Sequence, residues 1–415
     1  MKLTLKTQFA LPTTQEVLYE KFPDIVLLAY MVFVYVWNYS VGFNPVIKYG
    51  IHAAALVVFF LLAIFKFKCV IISSFEKNFL LFIAFCCVSI FFAISQEQAA
   101  AKCLNLVVYL LIAGSIHVYI TKKNKLEWLM RTLCFGGIAL AFYNLYFYGV
   151  GNYVSSMLSG NRVGGEIMNL NVIGQFCCFS ALICSWYAIY KNKIRYVAPM
   201  ILCTFIALGV GSRKSLSALV LGFCLLYLFR GNLREKLKNF VMVVLFLSAF
   251  LMILQLPIFE RTTSRFEAMF NSSARVDNST YLRGLLIEHG LEDFTSSPLM
   301  GVGIGNTPFL GVKYTGYEFY MHNNYVELLV SVGIIGTAIY YLLLLYPLIK
   351  LFRPALRQDP MAILLEVILL LMLFMDFGEV TYDSIETYFW ILAAHVKVKE
   401  LEEFECQQEK FSIRA

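Results

Sequence analysis

The chain has 415 residues, of which 60% are hydrophobic and only 15% charged, with 37 Phe and 25 Tyr. A soluble domain is charged at roughly a quarter of its positions, and so much apolar and aromatic surface could not stay solvated in a disordered chain, so both classes are excluded. The net charge of +7, from 34 Lys and Arg against 27 Asp and Glu, is informative through its placement along the chain, not as a sign of nucleic-acid binding.

Residues 1–24 are mixed and polar, and the apolar run that follows has no small-residue cleavage site. It reads as a retained anchor and not as a cleavable signal. Runs able to cross ~30 Å of hydrocarbon then recur at 25–42, 47–65, 79–95, 104–120, 127–148, 170–190, 196–212, 214–230, 239–258, 324–349, 360–377 and 382–396. The expected fold is all-α and polytopic, with about twelve transmembrane helices. Helices one to nine fall within 25–258 and ten to twelve within 324–396, separated by a long polar loop, 259–323, and followed by a charged tail, 397–415.

With both termini on one side, 23 Lys and Arg lie on that side and 10 on the other, Arg131 being at a helix edge. The positive-inside rule makes the richer side cytoplasmic, which requires an even number of crossings and turns the long loop outward. Eleven cysteines, several inside apolar runs (Cys86, Cys87, Cys177, Cys178, Cys184, Cys203, Cys224), show no metal-ligand spacing. They read as small core hydrophobes.

Within the long loop, Ser279 or Asn278 can cap a helix from about 280 to 289, which Gly290 would close. Leu282, Leu285, Leu286 and His289 share a face of it, suited to a membrane surface. Gly301, Gly303 and Gly305 spell GxGxG, but without a preceding strand they read as a glycine-rich turn and not a dinucleotide site.

The informative residues are the cations on the poorer side. Arg213 and Lys214 occupy a tight turn, GSRKS, between two apolar runs. They either snorkel to headgroups or form a fixed anion site, for which a guanidinium fork beside Gly211, Ser212 and Ser215 is well suited. Arg283 lies on the loop helix, and Arg162 in NRVGGEIMNLN, where Asn169 or Asn171 can cap the next helix. His322, in YMHNNYVELL beside a capping Asn323 or Asn324, is either structural or a base or phosphate donor at the same vestibule. His289, His52, His117 and His395 read as surface groups. Asp376, Glu379, Asp383 and Glu386 either pair with the external arginines or bind sugar hydroxyls. Glu327, one turn into a span, is a functional candidate because ionisable groups are costly there.

GSRKSLSAL, then YLRGLL followed by SSPLMGVGIGN, then HNNYVELLVSVGIIG resemble the O-antigen ligase and O-antigen polymerase family of bacterial membranes. NRVGGEIMNLNVIG is similar to the segment of that family that opens a middle span, and the likeness runs from about 160 to 340. The resemblance implies a C-type glycosyltransferase-like fold at the outer face of the bacterial cytoplasmic membrane. Its donor would be a polyprenyl-diphosphate-linked oligosaccharide, used without a cofactor or metal. Arg213 corresponds to the arginine that grips the diphosphate, Arg283 to the loop arginine and His322 to the histidine of the HN pair. These three are the catalytic candidates. Arg162, Asn171, Lys214, Asn323 and Tyr314 are the substrate-binding candidates, Tyr314 with Tyr317 and Tyr320 as sugar-stacking rings. Lys214 departs from the family, which often has Gly there. Implied partners are membrane lipid, a chain-length regulator and a flippase. The SRKS turn and NLN segment favour a polymerase, with a ligase acting on lipid A-core as the alternative. A transporter is the third reading, which would put ionisable groups nearer the midplane.

Overall fold

Each expected apolar segment carries a helix over most of its described residues. The computed structural model describes residues 14–231, 233–255 and 278–414. The first part of the long loop, with Arg261, Arg265 and Arg275, and most of the N-terminal segment lie outside the described residues. In chain order the helices are α1 (Thr14–Val36), α2 (Pro45–Leu61), α3 (Ser74–Ser89), α4 (Gln96–Lys123), α5 (Leu126–Tyr148), α6 (Val150–Leu158), α7 (Leu170–Tyr190) and α8 (Val197–Val210). There follow α9 (Arg213–Phe229), α10 (Leu233–Leu254), α11 (Asn278–Ser296), α12 (Thr307–Thr315), α13 (Asn324–Leu356), α14 (Pro360–Met375) and α15 (Ile385–Arg414). The described residues contain no strand, only an isolated bridge between Ser40 and Met168.

Among the described residues, six helical stretches are long and apolar enough to cross a membrane: Pro45–Lys66, Ser74–Phe92, Gln96–Lys123, Leu126–Tyr148, Leu170–Tyr190 and Asn324–Leu356. Ile194–Val210 and Pro360–Met375 are equally apolar but shorter. The chain is a multi-pass α-helical membrane protein. The other expected segments lie on α1, α9, α10 and α15, where charged ends or modest length dilute the apolar run.

Helix α7 is the axis of the bundle. It carries no charge, and every residue from Ile173 to Tyr187 is buried against α5, α8, α9 and α14. A helix apolar all round belongs inside a bundle and not against lipid. Helix α14, packed on α9, α13 and α15, is buried in the same way.

Several local expectations change. Helix α11 runs on through Gly290 to Ser296. A Cβ at Gly290 would meet Val326 at 2.9 Å and Met321 at 3.0 Å, so this glycine allows close packing and does not end the helix. Leu286 on α11 is buried with Met321, Val326 and Val330, so that face serves α13 and not the membrane surface. Helices α6 and α12 are short additions that the hydropathy pattern did not separate. His52, His117 and His395 are buried, not at the surface. His52 bonds Tyr30 and Asn38, His117 bonds Glu76, and His395 bonds Ser74 and the Leu343 carbonyl. All eleven cysteines are free, and those of the apolar runs are buried except Cys87.

Helix α13 is broken at Gly333, which has φ 65° and ψ −173°. The break frees main-chain groups, and the glycine-rich turn takes them up. Val302 N–H donates to Val330 O and Gly303 N–H to Ser331 O, each at 2.9 Å, while Ile334 N–H donates to Pro298 O at 2.8 Å. In an apolar medium such groups must be satisfied within the protein. A Cβ at Gly301 (φ 69°) would lie 2.5 Å from Ser331 and Val330 backbone atoms. Gly301→Ala should therefore lower the apparent Tm in detergent by the equivalent of roughly 2–4 kcal/mol. Gly284→Ala, with no atom within 4 Å of its Cβ, should leave the Tm unchanged or raise it.

Candidate functional site

One end of the bundle gathers the candidate residues, beginning at the α8–α9 corner. Gly211, at φ 62°, ends α8, and Ser212 caps α9 by accepting from the Ser215 N–H. Arg213 is thereby the first residue of α9. The Ser212 hydroxyl donates to Asn171 Oδ1 at 3.0 Å, and Ser215 donates to Ser212 Oγ at 3.1 Å. Asn171 is thus not the cap of α7. That role falls to Asn169, which accepts from the Asn171 N–H at 2.9 Å, leaving the Asn171 side chain to tie α7 to the corner. Arg162 joins the same corner, its Nε donating to Val210 O at 2.9 Å.

Lys214 points across to the loop between α14 and α15. Its ammonium donates to Glu379 Oε2 at 2.5 Å and to Gly378 O at 3.0 Å, with Glu379 buried and Lys214 largely so. The second Glu379 oxygen lies 3.5 Å from the Tyr320 hydroxyl. This carboxylate therefore joins three separate segments: the start of α9, the α14–α15 loop and the stretch that leads into α13.

His322 follows immediately, in the left-handed region at φ 53°. Such a φ is uncommon for a residue with a Cβ and is retained only where its surroundings enforce it. Its ring centroid lies 4.1 Å from that of Tyr320, and its Nδ1 is buried without a hydrogen-bond partner. Burial, then the positive charge of Arg283, push its pKa down to about 4, with Glu379 opposing and Lys214 assisting. The imidazole is neutral at neutral pH and retains a lone pair for a proton. Burial and Glu379 likewise raise the Tyr320 phenol.

Arg283, on α11, is close enough for its charge to act on His322, Lys214 and Tyr320. Among the described residues its guanidinium makes no ion pair. Asn323 caps α13, its Oδ1 accepting from the Tyr325 and Val326 N–H groups. Tyr314 is engaged elsewhere in the loop: its ring stacks on His289 at 4.1 Å, and its hydroxyl donates to Asp293 at 2.8 Å.

Of the acids expected to meet the arginines, Glu379 pairs with Lys214 and Asp383 with Lys102. Asp376 accepts from Asn324, Tyr341 and Thr381, and Glu386 from Tyr39. Glu327 is buried and accepts from Thr307 and the Met321 N–H, so it fastens the loop to α13. Asn324, absent from the sequence candidates except as a cap, also accepts from the Thr381 and Tyr382 N–H groups. Pairings this distant in sequence leave no local signal. Among the described residues no group of His, Cys, Asp and Glu is arranged to hold a metal ion.

The fold and this site define a polytopic α-helical membrane protein with a cation-bearing vestibule and a neutral histidine at one end of its bundle. Residues 198–341, about a third of the chain, match the family model described as O-antigen ligase. The matched segment includes Arg213, Lys214, Arg283, Tyr314, His322 and Asn323, and leaves out Arg162, Asn171 and Glu379. No curated protein matches the chain.

Two outcomes test the site. In histidine-labelled protein followed by NMR, Arg283→Gln should raise the His322 pKa, because it removes a neighbouring positive charge, and Glu379→Gln should lower it further. A stability cycle probes the ion pair. Lys214→Met or Glu379→Gln alone should each cost about 3 kcal/mol by leaving a buried charge unpaired, and the double variant clearly less than their sum.

Proposed function

We propose that the protein is a glycosyltransferase that moves a glycan from a polyprenyl diphosphate to an acceptor hydroxyl, with Arg213, Arg283 and His322 as its catalytic residues. The observation that carries this reading is a neutral, half-buried imidazole with an unbonded, buried Nδ1, acted on by the charge of Arg283, which makes no ion pair among the described residues, within the segment that matches the family model. The acceptor oxygen forms a bond to the anomeric carbon as the bond from that carbon to the diphosphate oxygen breaks. The electron pair leaves with the diphosphate, and the acceptor proton passes to His322. Arg213 and Arg283 stabilise the growing negative charge on the leaving group, the kind of preorganised electrostatic term that dominates such steps.

Lys214 is compensated by Glu379, so its part is to hold the corner and support the arginines next to it. Arg162 and Asn171 fix the same corner. Asn323 sets the start of α13 and hence His322, while Tyr314, its ring stacked on His289, holds α12 against α11. Helix α8, with 14 residues, is about 21 Å long, which supports a corner recessed in the low-dielectric layer, where a cation is retained for function. The distribution of basic residues supports an outward-facing site with both termini cytoplasmic, in the inner membrane of a bacterium.

We favour a second lipid-linked repeat as acceptor, which makes the protein a polymerase of O-antigen or capsule type working with a flippase and a chain-length regulator. The description of the matching family favours a second reading, ligation to lipid A-core. Purified protein given only a polyprenyl-diphosphate oligosaccharide should yield a ladder of multiples. Arg283→Ala and His322→Ala should each reduce the rate by about 100-fold or more. Release of diphosphate lipid only after lipid A-core is added would identify the ligase. Absence of turnover with either acceptor, in protein that still binds the lipid, would overturn the transferase reading in favour of a transporter.

A further inference from the structure

A second site lies at the end of the bundle opposite His322. There a groove of about 370 Å³ opens between the last turns of α13 and the charged extension of α15. Lys350, Arg353 and Arg357 line it from one side, and Glu402 and Glu405 from the other. The spacing explains the two rows, since residues three and four apart share a helix face. Lys350 donates to Glu402 at 2.9 Å, and each neutralises the other. Among the described residues neither Arg353 nor Arg357 makes an ion pair, and Glu405 makes none either. The groove is thus left with two uncommitted guanidinium forks and one uncommitted carboxylate.

Its setting is amphipathic. Ile349 and Leu401 also line the groove, and Ile349, Phe352 and Leu356 are exposed on the adjoining surface of α13. Lys350 follows directly on the apolar run of α13, at the level where headgroups lie. A row of solvated interfacial cations would account for the arginines alone. It does not account for a concave site in which cations and acids line opposite walls over an apolar floor.

We propose that this groove binds a zwitterionic phospholipid carrying a primary amine, of the phosphatidylethanolamine type. Its phosphodiester lies on Arg353 and Arg357, since planar guanidinium groups suit phosphate geometry. Its ammonium donates to Glu405 and Glu402, and its acyl chains run back from Ile349 along the exposed Leu345 and Leu342 of α13, toward the apolar run. An anionic headgroup without an amine would still rest on the two guanidinium groups but would leave the Glu405 carboxylate without a donor or a cation. A choline headgroup has no N–H to donate. Soluble glycerophosphoethanolamine shares the polar chemistry but not the apolar contact.

The test uses the full-length protein, delipidated in detergent and offered equimolar phosphatidylethanolamine, phosphatidylglycerol and phosphatidylcholine, with retention read by native mass spectrometry. The ethanolamine lipid should be retained over the other two by about fivefold or more. Arg353→Gln with Arg357→Gln should remove that retention. Glu402→Gln with Glu405→Gln, which keeps both arginines and serves as the folding control, should keep phospholipid but shift the preference to phosphatidylglycerol. Equal retention of all three lipids would overturn the proposal, as would unchanged retention in the arginine variant. Displacement of the lipid by equimolar glycerophosphoethanolamine would assign the groove to the soluble headgroup and overturn the lipid part.

Discussion

The break in α13 at Gly333 frees the Val330 and Ser331 carbonyls from the helix ladder, and the turn at 298–303 supplies their new partners. Where water is scarce, an amide or carbonyl left alone costs several kcal/mol, so the turn and the broken helix stabilise each other. Much of the loop geometry depends on this seat. It fixes the chain between α11 and α12, and Glu327, taking up Thr307 and the Met321 N–H, fixes the other end of the same stretch. His322 is reached from that anchored segment, which explains how a non-glycine residue is held in the left-handed region.

A second set of polar contacts closes the site from the C-terminal side. Asn324 uses both ends of its amide, donating to Asp376 and Tyr341 and accepting from the Thr381 and Tyr382 N–H groups. Glu379 then extends from this loop to Lys214 and Tyr320. The cations that look uncompensated along the chain therefore fall into two kinds. Lys214 and Lys102 are matched by buried or half-buried carboxylates, whereas Arg283 keeps its charge available to the vestibule.

The helical class and the position of most helices were legible because apolar runs of membrane length have few alternative structures. Arg213, Lys214, Arg283 and His322 stood out because charge is costly beside such runs, and three of them, Lys214, Arg283 and His322, act on one another electrostatically in the fold. Less legible was whatever depends on partners far along the chain. Gly290 resembles a terminator but is a contact surface for Met321 and Val326. His52, His117 and His395 look like stray surface groups, yet each ring is buried and bonded to a partner supplied by another segment. Glu379 is visible as an acid near a helix end, but its pairing with a lysine 165 positions earlier is set by tertiary packing alone.

Helix α8 has a consequence for the surrounding lipid. Its 14 residues offer about 21 Å of helix, next to an α7 of 21 residues that offers about 32 Å. Part of α8, including Ile201, is exposed on the outside of the bundle. A bilayer meeting so short a hydrophobic wall thins locally, at a cost of a fraction of a kcal/mol per Å. Beside Gly211 and Arg213 the headgroup layer is thereby drawn inward, which, for the proposed function, would shorten the path by which a lipid-linked donor, still in its leaflet, reaches this corner.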